Sequence, residues 1–157
     1  MALGAYPGPM TLDGPYEPSR WDWVREQVDR YERSGGTEGT TLLDTRLPVV
    51  VVTMLGHRSG KVRKAPVMRV EHEGHYAVVA SKGGDPRNPG WYYNLKAHPD
   101  TVRIQDGPEV FDVAVREVEG EEREQWWERA VAAYPAYADY QRSTTRQIPV
   151  LVATRVA

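Results

Sequence analysis

Apolar positions recur along this chain with two different periods. Between residues 19 and 34, Trp21, Val24, Val28 and Tyr31 stand three or four residues apart, which lines them on one face of a helix. Ser19 is a candidate cap, Asp22 falls where a helix N-terminus favours negative charge, and Gly35-Gly36 stop the run. The preceding residues, 1–18, are rich in Gly and Pro and read as a loose arm. From Pro48 the pattern becomes that of strands. Val49-Val50-Val51-Val52-Thr53 is β-branched throughout, as a buried strand is. Further strands are predicted over residues 63–70, 76–80, 101–105, 110–118 and 148–152, with Gly74 and the pair Asp106-Gly107 as hairpin turns. Residues 91–97 and 121–133 read as helices, the second with Trp126, Val131 and Tyr134 on its apolar side.

Six strands that do not alternate regularly with helices argue against a doubly wound parallel sheet. They predict an α+β, mainly β fold: an antiparallel six-stranded meander closed into a small β-barrel, which hides its edges, with flanking helices. No repeat or linker divides the sequence. The expected organisation is an N-terminal arm and helix over residues 1–36 and one barrel domain over 37–157.

Composition narrows the chemistry. The chain of 157 residues has no cysteine, which removes disulfides, thiolate nucleophiles, zinc–thiolate sites and iron–sulfur clusters together. Redox chemistry would need a bound organic cofactor or a non-thiolate metal. The four histidines, His57, His72, His75 and His98, show no zinc-protease spacing, and no metal site is expected. His72 and His75 read as exposed turn residues. A net charge of −2 argues against a nucleic-acid-coating protein. No signal peptide is legible at the N-terminus. The longest apolar run, from Leu47 to Leu55, is too short to span a bilayer. The protein is read as cytoplasmic, without a transmembrane segment.

Three segments carry candidate chemistry. In the turn Gly56-His57-Arg58-Ser59-Gly60-Lys61-Val62-Arg63-Lys64, four fixed positive charges fall within seven residues. Glycines and a serine permit a backbone nest for an anion, and arginines grip phosphate or carboxylate with two nitrogens. The same turn is equally readable as a solvated hairpin tip, and it departs from a P-loop in spacing and in having Val62 after the lysine. The second segment, Ser81-Lys82-Gly83-Gly84, places a lysine at a strand end, a phosphate contact or ordinary turn chemistry. It runs on to Asn88-Pro89-Gly90-Trp91-Tyr92-Tyr93-Asn94, aromatics and an amide where a helix begins. The third is Tyr134, Tyr137 and Tyr140, roughly along one helical face. Such a stripe packs, or offers stacking surfaces and phenolic proton donors.

Taken in order, these blocks resemble the deazaflavin-dependent nitroreductase family over about Leu47 to Val152. The signature reads Gly56-x-Arg58-Ser59-Gly60-x-x-Arg63-x-x-Pro66, then Ala80-Ser81-Lys82-Gly83-Gly84, then Asn88-Pro89-x-Trp91-Tyr92-x-Asn94-Leu95-Lys96-Ala97-x-Pro99, then Tyr134-Pro135-x-Tyr137-x-Asp139-Tyr140-Gln141 and Ile148-Pro149-Val150. The resemblance implies a split β-barrel and the 8-hydroxy-5-deazaflavin cofactor, coenzyme F420, whose tail carries a phosphodiester and glutamates. It implies that Arg58, Ser59, Arg63 and Lys82 hold the tail, with His57 and Lys64 beside them. Ala65, Pro66, Val67 and Met68, with Val79, Ala80 and Ser81, would line the ring. Gly90, Trp91, Tyr92, Tyr93 and Asn94 would hold its other side. Met68, Ser81, Tyr134, Tyr137 and Tyr140 would meet the substrate. His57 and Met68 stand where relatives often have an arginine and an aromatic. The N-terminal helix does not carry over, and its charges balance.

The implied reaction is hydride transfer from the cofactor to a small electron-poor acceptor: a quinone, an enone or a nitroaromatic. Tyr137 is the candidate proton donor, with packing alone as its other reading. No Gly-x-Gly-x-x-Gly fingerprint is present, so a separate dehydrogenase would reduce the cofactor. A homodimer is compatible with the fold. FMN, with its single phosphate, is the alternative cofactor. A carrier that binds deazaflavin without turnover, and a non-catalytic barrel binding single-stranded nucleic acid on its loop and tyrosines, remain as other readings.

Overall fold

A computed structural model of the chain describes residues 11–42 and 45–156. Strand β1 (Val49–Leu55) is buried at every position, because it lies mid-sheet with apolar packing on both faces. Val49 and Val51 join one core cluster, and Val50, Val52 and Met54 the other. This explains an unbroken β-branched run with no polar alternation. Strand β2 (Val62–Met68) returns along one side of β1, and β5 (Val102–Asp106) pairs with the other. The strands β3 (Glu71–His72), β4 (His75–Val79), β6 (Glu109–Glu117) and β7 (Val150–Arg155) complete an antiparallel sheet of order β2-β1-β5-β6-β7-β4-β3.

The expected meander is therefore corrected to three hairpins, β1–β2, β3–β4 and β5–β6, interleaved and joined by β7. The expected six strands become seven because residues 71–72 pair with 75–76 across a turn at Glu73-Gly74, both with positive φ. β2 and β4, distant in strand order, pack together, so the sheet curls into a half-barrel.

Helix α1 (Asp22–Arg33) begins later than expected. Ser19 Oγ accepts from the Trp21 N–H at 3.1 Å, and Trp21 itself takes the cap position. Only the inner half of its predicted stripe is buried, at Val28 and Tyr31. Tyr31 anchors the helix: its hydroxyl donates to the Val49 and Gln105 carbonyls and accepts the Gly107 N–H at 2.7 Å. Gly36 follows because a Cβ there would lie 2.0 Å from the Gly107 carbonyl oxygen. In the predicted Asp106-Gly107 turn, Gly107 has φ +60, whereas Asp106 closes the ladder and binds Arg69 and the Tyr76 hydroxyl.

Helices α3 (Gly120–Ala133) and α4 (Ala136–Arg142) cover the same face as α1, while α2 (Gly90–Ala97) seals the other core through Leu95. His72 and His75 are not free turn residues. His72 meets Trp126 edge-on, and His75 Nδ1 lies 3.0 Å from Thr154 Oγ1. The arm is only partly loose. Val62 donates to the Pro15 carbonyl and accepts from Glu17, both at 2.8 Å; residues 1–10 lie outside the described residues. Among the described residues, no helix is long and apolar enough to cross a membrane.

Candidate active-site cleft

A cleft of about 950 Å³ runs along β2. From Arg63 to Met68 it follows five residue steps, roughly 17 Å of extended chain. At one end stands the β1–β2 loop, a tight turn with Gly56 N–H bonded to the Lys61 carbonyl and Gly60 at φ +68. His57, Arg58 and Ser59 of this loop line the cleft, with Lys82 from the turn after β4. Arg58 and Lys82 have no carboxylate partner among the described residues, although the chain as a whole is acidic. Two uncompensated cations facing a cleft are an anion-binding arrangement.

Along the middle lie Arg63, Lys64, Ala65, Pro66 and Val67 of β2, Val79 and Ser81 after β4, and Gly90, Trp91 and Asn94 of α2. The predicted cations Arg63 and Lys64 are already paired, with Glu17 at 3.4 Å and Glu32 at 2.8 Å. Asn94, expected to hold the cofactor, is turned to the loop. Its Oδ1 accepts the His57 backbone N–H at 2.9 Å and lies 2.7 Å from His57 Nδ1.

At the far end Met68 packs in one apolar cluster with Val24, Leu42, Tyr134, Tyr137 and Tyr140. The hydroxyls of Tyr134 and Tyr140 share a hydrogen bond of 2.9 Å. The Tyr137 ring packs edge-on against both and lies 6.2 Å from the Trp127 ring. Among the described residues its hydroxyl has no protein partner, yet the side chain reaches the cleft. Burial pushes the Tyr137 phenol well above its ordinary pKa, and its tyrosine neighbours add to this. The group is thus neutral, with a free O–H.

Three predicted site residues do not reach the cleft. Ala80 is fully buried. Tyr92 turns its hydroxyl to Glu117 at 2.6 Å, and Tyr93 is exposed beside the His57 ring. Conversely, sequence reasoning missed the start of α1. Trp21, Trp23 and Val24 line the cleft, with Trp21 59% exposed. The legible signal was two tryptophans at i and i+2, which a single buried helical face does not accommodate.

The sequence model of the F420H(2)-dependent quinone reductase family matches residues 23–155. The chain belongs to this family. An F420H(2)-dependent quinone reductase of Mycobacterium tuberculosis (strain H37Rv) is 39% identical over 127 residues, 76% of this chain and 83% of that protein. The solved F420-H2 dependent reductase FDR-A is 55% identical, with TM-score 0.64, across 72% of this chain and 97% of that one. A solved domain-swapped dimer is 54% identical, with TM-score 0.66, across 86% and 99%. The predicted split-barrel class agrees with these neighbours, and membership of the F420H2-dependent family brings coenzyme F420 as the cofactor. The residues present fit such a group: Arg58 and Lys82, without a salt-bridge partner among the described residues, suit a polyanionic tail, and the apolar Ala65, Pro66 and Val67, with the half-buried Trp91, suit a planar ring.

Proposed function

We propose that this F420H2-dependent reductase acts on small electron-poor acceptors, a quinone foremost, with enones and nitroaromatics as further substrates. When bound, the reduced deazaflavin supplies the hydride. The chain supplies position, exclusion of water and a proton. Arg58, Ser59 and Lys82 hold the anionic tail, and Arg63 joins them by exchanging its Glu17 contact for a tail oxygen. Ala65, Pro66, Val67 and Trp91 bound the flat part of the ligand. Met68, Trp21 and the tyrosines form the acceptor's apolar surroundings.

Hydride addition to one quinone oxygen–carbon system leaves an oxyanion that must gain a proton. Tyr137 is the donor in this reading. Among the described residues its O–H has no hydrogen-bond partner, the residue lines the cleft, and burial favours the protonated phenol. A raised pKa makes it a weaker acid, so its first contribution is a hydrogen bond to the acceptor oxygen, with proton transfer as charge accumulates there. The single observation that carries the reading is that one cleft brings together Arg58 and Lys82, neither in a salt bridge among the described residues, and Tyr137, whose hydroxyl has no hydrogen-bond partner among them.

Homodimer formation also belongs to this reading, supported by the domain-swapped assembly of the relative that is 54% identical. So does a separate dehydrogenase that returns the cofactor to its reduced form. The test is cofactor absorbance on mixing with F420H2 and a menadione-type quinone, an enone and a nitroaromatic in turn. Enzyme-dependent oxidation with the quinone is expected. No oxidation with any acceptor, or tighter binding of FMN than of F420 at equal ionic strength, would overturn the proposal.

A further inference from the structure

The segment between β4 and α2 gives Ser81, Lys82 and Gly83 to the cleft, yet three consecutive residues in it have left-handed backbone. Lys82, Gly83 and Gly84 have φ of +46, +62 and +85. Glycine accepts this conformation freely, but lysine does not, and a strained residue persists only where its surroundings over-determine it. Within the segment, the backbone bonds are the short turn contacts Gly84 to Ser81 and Asp85 to Lys82. Those contacts are local: the Ala80 N–H, where the segment starts, donates to the Pro149 carbonyl at 2.9 Å, but among the described residues no backbone–backbone bond of 81–88 reaches beyond the segment.

The restraint comes from Arg146, 58 to 66 residues away in sequence. Its Nε donates to the Asp85 carbonyl at 2.9 Å and its Nη1 to Asn88 Oδ1 at 2.8 Å. Its Nη2 is shared among the carbonyls of Ser81 at 2.9 Å, Ala80 at 3.2 Å and Arg87 at 3.2 Å. Every nitrogen of a rigid planar group is thus spent on one segment, entering it at both ends. Lysine, with one flexible ammonium, cannot reproduce that fork. The same segment supports the tyrosine helix: a Cβ on Gly84 would lie 3.0 Å from the Tyr140 carbonyl oxygen. Arg146 itself follows four residues after α4 ends at Arg142.

We infer that Arg146 is a positioning residue that holds the Ser81–Gly84 turn in its strained form, and so sets Lys82 and Ser81 against the cofactor and α4 against the acceptor. This rests on the reading of the cleft as the F420 site. Arg146 touches neither ligand in this assignment and acts through the carbonyls it binds.

The test uses the full chain with Arg146→Lys and Arg146→Ala. Hydrogen exchange of amides 82–88 is measured without ligand, F420 affinity by cofactor fluorescence, and fold by circular dichroism. Faster exchange confined to 82–88, and F420 binding weakened by about tenfold or more, are expected in Arg146→Lys. Millimolar guanidinium should restore part of the binding lost in Arg146→Ala. If the alanine variant does not fold, the lysine variant decides. Unchanged exchange at 82–88 in Arg146→Lys would overturn the inference, as would faster exchange there with F420 affinity intact. A uniform rise in exchange across the sheet would equally overturn it, since that is a loss of global stability. Failure of the unsubstituted protein to bind F420 would instead sink the functional reading, while the exchange pattern still decides whether Arg146 holds the turn.

Discussion

Asn94 is buried to 8% exposure on α2, and its side-chain oxygen receives two contacts from one residue of the hairpin loop. The His57 backbone N–H donates to it at 2.9 Å, and His57 Nδ1 at 2.7 Å donates if that nitrogen carries the proton. Asn94→Ala removes both acceptor contacts. Two net hydrogen bonds are worth about 1–3 kcal/mol. His57 is exposed, so water replaces part of this, and a cost of about 1–2 kcal/mol is expected. For a chain of this size that is a fall in Tm of roughly 2–8 °C. The loop then loses its tie to α2, and F420 binding should weaken because His57, Arg58 and Ser59 are no longer held over the cleft. Asn94→Asp separates this role from direct contact with the cofactor. A loop tether retains its acceptor in aspartate, so Tm and affinity should return toward normal. A contact to the anionic tail would instead meet a new negative charge and bind worse than in alanine. Thermal melts and fluorescence titrations of both variants, at matched ionic strength, read the difference. Asn94→Ala with unchanged Tm and affinity, or Asn94→Asp binding more weakly than Asn94→Ala, would refute the reasoning.

Tyr137→Phe should lower quinone turnover by about 10²-fold while F420 affinity holds; full turnover with chemistry rate-limiting would remove the donor role. Burial raises the Tyr137 pKa, and Tyr134 is pushed up to about 12 by burial and its bond to Tyr140. These groups stay protonated in the folded chain where unfolded tyrosines ionise near pH 10. Their stabilising contribution is complete below about pH 10 and is lost as pH rises toward 12 and beyond, so alkaline melts should be flat and then fall, less steeply in Tyr137→Phe. Gly84→Ala puts a Cβ 2.2 Å from Ser143 Oγ and 3.0 Å from the Tyr140 carbonyl oxygen at φ +85; a loss of about 2–5 kcal/mol is expected in denaturant unfolding. Glu17→Gln releases Arg63 from a partly exposed pair at 3.4 Å and should tighten F420 binding by about two- to fivefold, an effect that fades at high salt.

Much of this protein is written in local pattern. The run Val49 to Thr53 could only be a strand buried on both faces, and the glycines at 56, 60, 74 and 107 mark turns that the backbone does make. The cationic loop, the Lys82 turn and the tyrosine stripe were legible because charge and ring type are properties of single residues, and 18 of the 21 predicted site residues line the cleft. Strand order was not legible: β1 pairs β5 and β7 pairs β4 over long separations that no local period records. Nor was the direction a side chain takes once the fold closes. Only tertiary packing turned Asn94 toward His57 and Tyr92 toward Glu117, paired Arg63 with Glu17, and brought Trp21 and Trp23 to the cleft. Arg146 is the extreme case. Its meaning lies in four backbone carbonyls and one asparagine side chain about sixty residues away, and a backbone carbonyl, being common to every residue, leaves no trace in sequence of which guanidinium will claim it.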